Sequence, residues 1–452
     1  MRLVIVGGGI TGLSLAYFLL EHKPSLDILI LESEKKAGGK IWTDRVDGFL
    51  CEGGVNGFLD NRPKTLELVS KLSISPLRSN DNARKRYIYS KGKLNLLPES
   101  PPAFLTSDLL SLYGRLRVIG EMFVPKWKGG DETLAHFATR RLGREAYEKL
   151  IDPMASGIFA GDPEKMSLKS CFAKVYNLEQ KYGSLIRGMI KLQKEAKKTG
   201  KKVGAGPGGT LTSFYDGMES MISALTSFLG KRLKTRSEVV SIDRKGINYV
   251  ISLSDGTKME AEAVVCATPA FTTAAIVGSL DKNLSALLNE IFYPSVSVVC
   301  LGYKREKIQH NLKGFGFLIP FKEGRKILGT LWDSSIFPNR APEGYVLLRT
   351  MLGGARRSDL ALEHEQKLIT LVMDELRDIM GITVQPHFAK LYTHRQGIPQ
   401  YFPGHEQKVQ QIAEICRDYK GFYVTGNAYG GIGVNDCIEN SYKLAQRIMQ
   451  GI

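Results

Sequence analysis

Arg2-Leu3-Val4-Ile5-Val6-Gly7-Gly8-Gly9-Ile10-Thr11-Gly12 opens the chain with a short apolar run and glycines at the first, third and sixth places of a G-x-G-x-x-G turn. The apolar run reads as a buried parallel strand. Gly7 permits the tight turn, Gly9 lets backbone approach a pyrophosphate, and Gly12 lets the next helix pack close to the sheet. That helix would offer N–H groups and the positive end of its dipole to the phosphates. Residues 13–21 continue helically, 26–31 form the next strand, and Glu32 follows twenty residues after Gly12. A carboxylate there accepts from a ribose 2′-OH and disfavours a 2′-phosphate. Together these features predict a dinucleotide site.

Two other readings of this stretch are weaker. Residues 3–20 carry no charge, as a signal peptide or anchor would, but glycines and hydroxyls interrupt them and no small-residue cleavage pattern follows. Gly12-Leu13-Ser14-Leu15-Ala16 is a partial nucleophile elbow that lacks its last glycine, and Ser14 would lie inside the packed helix.

A second glycine cluster, Gly38-Gly39-Lys40-Ile41-Trp42-Thr43, comes just after Glu32, and Glu52-Gly53-Gly54-Val55-Asn56 comes after that. Nicotinamide enzymes need no such cluster, whereas a flavin needs backbone close to its phosphates and ring. The arrangement resembles the amine oxidase superfamily, in which the glycine pair is followed by Arg or Lys. The resemblance implies FAD as cofactor, with Gly39, Lys40 and Gly54 beside it.

The chain has 452 residues, enough for two or three domains, and carries a net charge of +16. That balance suits an anionic partner such as a polycarboxylate substrate or acidic lipid. No helix-turn-helix, zinc-finger or RNP-like pattern supports nucleic acid. Six cysteines without CxxC spacing fit a reducing, cytoplasmic compartment, and the seven scattered histidines give no metal site. Residues 263–280 are uncharged, but Pro269 interrupts them, so no transmembrane helix is expected.

Further along, residues 57–75 read as helix and 84–94 as a basic, aromatic hairpin turning at Lys91-Gly92. Residues 98–211 are helical in pattern, and 183–202 hold seven basic residues and one acid, ending in Lys197-Lys198-Thr199-Gly200-Lys201-Lys202. Such a segment either lies on an anionic membrane surface or is a solvated face and loop. Residues 239–243, 249–253 and 259–265 read as a small antiparallel sheet, and 264–269 return to the parallel sheet. Four more strands are read at 295–303, 314–320, 326–332 and 344–351, with a helix at 363–380. Finally, 421–427 form a strand and turn, and Gly430-Gly431-Ile432-Gly433-Val434-Asn435-Asp436-Cys437-Ile438 opens a last helix.

Blocks spread over the whole chain resemble the protoporphyrinogen oxidase family: 152–168, 208–221, 329–331, 337–342, 352–354, 397–405 and 435–438. The implied fold is α/β, a Rossmann-like FAD-binding domain (1–75, 212–285, 416–452) with an antiparallel-sheet substrate domain (76–97, 286–415) and a helical membrane-associating insert (98–211). The resemblance places Arg86 on a substrate propionate, Leu331 and Met351 in the substrate pocket, Asn56 near flavin and substrate, and the Val239 backbone at the adenine. Gly426, Gly433 and Val434 would close the cofactor site. Cys437 lies inside the helix-entry motif and is no flavin-linking cysteine, so FAD is expected to be noncovalent.

The implied activity is three successive two-electron oxidations of protoporphyrinogen IX, with dioxygen as acceptor. Coproporphyrinogen III oxidation is the near alternative; an amine or carotenoid-type oxidase and a non-catalytic tetrapyrrole carrier are more distant ones. A membrane surface, a next-step tetrapyrrole enzyme and a homodimer are the further partners considered.

Overall fold

Arg2–Val6 is the central strand of a five-stranded parallel sheet in the order Leu233–Lys234, Asp27–Leu31, Arg2–Val6, Ala263–Cys266, Phe422–Val424. The computed structural model describes residues 2–98, 101–198 and 208–451. Both faces of the sheet are covered, which explains why its strands are apolar throughout. On one face lie the helices Ile10–His22, Glu219–Leu229 and Val434–Gln450, and Ser441 Oγ donates to the Thr11 carbonyl at 2.9 Å where the first and last of these touch. On the other face lie a three-stranded antiparallel sheet and the helices Ala270–Ile276, Lys282–Asn289 and His405–Asp418. Chain order reverses beside Arg2–Val6, so the carboxyl ends of this strand and of Ala263–Cys266 flank a crevice of the kind in which doubly wound sheets bind ligands.

Two local expectations change. Residues 259–265 are not one strand: Lys258–Ala261 pairs antiparallel with Asn248–Leu253, and Ala263–Cys266 joins the parallel sheet. The break falls at Glu262, whose N–H donates to the Arg2 carbonyl. Residues 57–75 are not one helix either, since Phe58–Leu59 is a short strand and the helix begins at Pro63, whose ring suits a first helical turn.

The second sheet has seven strands in the order Phe388–His394, Val296–Lys304, Tyr345–Gly353, Ile327–Leu331, Gly316–Leu318, Arg86–Ser90, Lys93–Leu96. It is mixed rather than wholly antiparallel, because Gly316–Leu318 runs parallel to Arg86–Ser90. The edge strand Phe388–His394 was not expected from the sequence. Helix Glu365–Met380 packs on one face, burying Val299, Leu301, Phe317, Leu348 and Leu352. The opposite face meets Phe49 and Cys51 of the hairpin that follows the second glycine cluster.

Residues 101–198 are mainly helical, with Leu112–Ile119, Leu134–Leu142, Asp152–Phe159, Ala173–Tyr182 and Leu185–Lys198 as the longer helices. A buried ion cluster ties Leu134–Leu142 to Ala173–Tyr182 and to the turn after Leu112–Ile119: Arg141 lies 2.8 Å from Glu121 and 2.5 Å from Glu179, and Arg140 bridges Glu179 and Glu132. Lys201 and Lys202 lie outside the described residues, as do the side chains of Lys197 and Lys198. Among the described residues no helix is long and apolar enough to cross a membrane.

Candidate active site

The two glycine turns lie side by side at the carboxyl end of the parallel sheet. Gly38 N–H donates to the Gly8 carbonyl at 2.9 Å, and Gly9 and Gly38 form an isolated parallel bridge. A Cβ on Gly12 would lie 2.0 Å from the Gly7 carbonyl oxygen, so only glycine lets the helix come this close. Gly9, the residue before that helix, would direct a Cβ into open space. That open cradle, at a helix N-terminus, is the geometry a pyrophosphate requires. Ser14 is fully buried in the helix, which removes the nucleophile-elbow reading.

Glu32 is buried and fixed at both carboxylate oxygens, by Gly8 N–H at 2.7 Å and Glu34 N–H at 2.9 Å. Each oxygen keeps capacity to accept a ribose hydroxyl. The Glu32 carbonyl accepts from Ser237 N–H, which brings the segment leading to Val239 alongside the acid. Val239 is buried at the start of its strand and pairs with Leu253.

At the other end of the crevice, Thr425 N–H donates to the Cys266 carbonyl and sets the turn at Gly426. Gly433 precedes the last helix, its N–H held by Asp436 at 3.3 Å. The Val434 side chain is in the core, so its main chain is what it offers a ligand. Asn435 donates to the Leu59 carbonyl at 2.8 Å and leaves a buried Oδ1 with no partner among the described residues. Burial pushes the Cys437 thiol up to about 11, so it stays protonated and unreactive near neutrality.

The second glycine cluster is clamped from the seven-stranded sheet. Lys40 Nζ donates to the Gln396 carbonyl at 2.6 Å, and burial draws this ammonium down to about 8. His394 Nε2 lies 2.8 Å from the Gly53 carbonyl, and burial lowers the imidazole pKa, favouring its neutral, donating form. A Cβ on Gly54 would lie 2.2 Å from the Lys40 carbonyl oxygen.

Strand register puts the three residues expected at the substrate on one face. Arg86 pairs with Gly316, Gly316 with Leu331, Leu331 with Arg349, and Met351 with Gly329. Partners across adjacent strands point to the same side. Arg86, Leu331, Arg349 and Met351 therefore share the face opposite helix Glu365–Met380. Arg86 is exposed, rests over the Phe315 ring at 5.2 Å, and has no carboxylate partner among the described residues. Helix Asp152–Phe159 packs on the same face, since a Cβ on Gly157 would meet Leu318 Cδ2 at 2.6 Å.

Four buried charges missed in the sequence lie where this face meets the Asn56 loop. Arg349 Nε lies 3.2 Å from Asp333 Oδ2, and its Nη1 donates to the carbonyls of Gly54 at 3.0 Å and Glu52 at 3.3 Å. Arg340 lies 3.8 Å from Glu52, whose carboxyl also accepts from Thr43 Oγ1 and Met218 N–H. Burial pushes Glu52 up to about 7 and pushes Asp333 upward as well, against the pull of Arg349 and Arg340. Asn56 Nδ2 faces Asp333 Oδ1 at 3.5 Å, and Asn56 Oδ1 is buried without a partner among the described residues. Arg349 had one legible signal: it stands two residues before Met351 in a strand, and so on the same face.

Open space at Gly9, two helix N-termini and the unpartnered acceptors of Asn56 and Asn435 fit an elongated dinucleotide with a polar ring system. The family model described as flavin containing amine oxidoreductase matches residues 10–449. The chain belongs to the flavin-containing amine oxidoreductases. Its relatives in this family include chloroplastic protoporphyrinogen oxidase of Oryza sativa subsp. japonica, 33% identical over 98% of this chain and 87% of that protein. Coproporphyrinogen III oxidase of Bacillus subtilis (strain 168) is 30% identical over 97% of this chain and 96% of that protein. A crystal structure from Exiguobacterium sp. 255-15 matches with a TM-score of 0.86 and 27% identity, covering 100% of this chain and 99% of that one. Reduced UDP-galactopyranose mutase, 15% identical with a TM-score of 0.77 over 100% of this chain and 94% of that one, shares the fold. As a member of this family the protein is an FAD-dependent oxidoreductase of the protoporphyrinogen oxidase type.

Proposed function

We propose that the protein oxidises protoporphyrinogen IX to protoporphyrin IX, removing six electrons in three two-electron steps and passing them to three dioxygen molecules with release of three hydrogen peroxides. The carrying observation is the shared sheet face: apolar Leu331 and Met351 lie inboard of an exposed arginine without a carboxylate partner. A large apolar macrocycle with ionised propionates needs both an apolar slot and a cation.

Bound FAD supplies the hydride acceptor. The chain's part is to hold and orient. Arg86 takes a propionate; Leu331 and Met351 support the macrocycle face. Gly7, Gly9, Gly12, Gly39, Gly426, Gly433 and Val434 offer backbone to the dinucleotide, Glu32 its ribose, and Val239 its adenine. Lys40, Gly54 and Asn56 lie at the ring end.

Coproporphyrinogen III oxidation is a second reading, supported by the net charge of +16 and by a relative of that name matched over 96% of its length. Porphyrin fluorescence is followed aerobically with FAD-loaded protein given each porphyrinogen separately. Faster turnover of protoporphyrinogen IX is the expected result, preference for coproporphyrinogen III selects the second reading, and no turnover of either refutes both.

The insert is proposed to rest on an anionic membrane surface. Leu112, Tyr113, Leu116, Ile119 and Phe123 are exposed along one side of the Leu112–Ile119 helix and the turn after it, an apolar stripe suited to the headgroup boundary. On this reading the enzyme is cytoplasmic and peripheral. A homodimer and a next-step tetrapyrrole enzyme are proposed as its protein partners, the latter because the product is a poorly soluble macrocycle.

A further inference from the structure

We propose that Asp333 is a positioning residue: it fixes the Asn56 amide so that the Asn56 carbonyl oxygen accepts a hydrogen bond from a ligand N–H, either a pyrrole of the porphyrinogen or the flavin ring. This deepens the reading above and rests on it.

Asp333 is fully buried two residues beyond Leu331. Its Oδ2 faces Arg349 Nε at 3.2 Å and its Oδ1 faces Asn56 Nδ2 at 3.5 Å. The Oδ2 contact with Arg349 is an ion pair without an aligned hydrogen bond, whereas Oδ1 accepts from Asn56 Nδ2, so Oδ1 is the acceptor that the Asn56 amide faces. An asparagine amide beside an acceptor turns its NH₂ towards it and its oxygen away. Asn56 Oδ1 is accordingly left buried, without a partner among the described residues. Buried acceptors are normally satisfied, and a ligand donor satisfies this one. Arg349 reinforces the arrangement by holding the carbonyls of Glu52 and Gly54, on either side of Gly53. One ion pair thus sets both the main chain and the side chain of the loop ending in Asn56. A porphyrinogen carries four pyrrole N–H donors and an oxidised flavin one ring N–H, so the acceptor suits either source.

The test is a double-mutant cycle of Asn56→Leu, Asp333→Asn and the double variant as holoenzymes, reading porphyrinogen KM and kcat and the FAD dissociation constant after reconstitution. If the donor is a pyrrole, each single variant raises KM about three- to tenfold with kcat and FAD affinity nearly unchanged. If the donor is the flavin, FAD affinity falls by that factor instead. In either case the double variant is no worse than Asn56→Leu, because Asp333 acts through Asn56. Multiplying effects in the double variant, or no change of either constant in Asn56→Leu, overturns the proposal. Should Asp333→Asn alone fail to accumulate, Asp333→Asn with Arg349→Gln removes both charges together and enters the same cycle. An unmutated enzyme inert to both porphyrinogens would refute the activity reading, while the FAD arm would still decide the coupling.

Discussion

A Cβ on Gly12 would stand 2.0 Å from the carbonyl oxygen of Gly7, whereas one on Gly9, between them, would meet nothing within 4 Å among the described residues beyond its own chain neighbours. The two glycines are therefore required for different reasons, the first by the fold and the second by the ligand. Gly9→Val should leave the protein folded but without FAD, with the flavin absorbance of the purified protein lost and its far-UV circular dichroism retained. Gly12→Val should instead cost several kcal/mol through a helix–strand clash and appear as insoluble protein. Full flavin occupancy in Gly9→Val would contradict the assignment of this turn to the pyrophosphate.

Arg86 rests on the Phe315 ring with its charge uncompensated among the described residues. Losing a charge-assisted hydrogen bond at an exposed site weakens binding by roughly tenfold. Steady-state kinetics on Arg86→Ala should show porphyrinogen KM raised by about that factor, with FAD content unaltered. Arg86→Lys should recover part of the loss, because a point charge replaces a two-pronged donor. An unchanged KM in Arg86→Ala would remove the propionate assignment.

Glu52 couples the loop ending in Asn56 to pH. Its carboxyl is raised from 4.5 to about 7 by burial, so the folded protein binds this proton more tightly than the unfolded chain. The contribution is complete below pH 4.5 and is lost as pH rises towards 7, amounting to about 3 kcal/mol at 1.36 kcal/mol per unit. Glu52→Gln keeps the contacts to Thr43 and Met218 within reach and removes the titration. Thermal melts between pH 5 and 8 should show a steeper fall for the unmutated protein than for Glu52→Gln. Parallel curves would show that Arg340 holds Glu52 ionised throughout.

The opening strand, glycine turn, helix and second strand were legible because each is a local pattern: an apolar run, a spacing of glycines and one acid. The seven-stranded sheet was legible strand by strand but not as a whole. Strand Phe388–His394 carries Lys390, Thr393 and His394 among its apolar residues and lacks a clean alternation, although it brings Tyr392 and His394 onto the clamp over Lys40 and Gly53. The Arg349–Asp333 and Arg340–Glu52 pairs were illegible for another reason. Their partners are 16 and 288 residues apart, and a lone arginine in a strand reads as exposed until register shows which face it occupies. The resemblance supplied Arg86 and Asn56, whereas periodicity alone gave neither a role.

The exposed stripe on Leu112–Ile119 decides whether the insert meets lipid or water. Burying one such apolar side chain contributes about 1.5–3 kcal/mol, and each basic residue near an anionic surface about 1 kcal/mol. If the stripe enters the headgroup boundary, Leu116→Asp with Phe123→Asp should lower partitioning onto vesicles of phosphatidylglycerol and phosphatidylcholine by well over tenfold. Turnover in detergent should stay unchanged, because both side chains are exposed on the insert and neither belongs to the strands that carry Arg86 and Met351. Neutralising Lys197, Lys198, Lys201 and Lys202 should reduce binding at low salt only, since attraction to an anionic surface is screened at high salt. The two perturbations separate the contributions: loss with the first alone means an apolar anchor, loss with the second alone a purely electrostatic one. Unchanged sedimentation with vesicles in both would leave the stripe for a protein partner and refute the lipid reading.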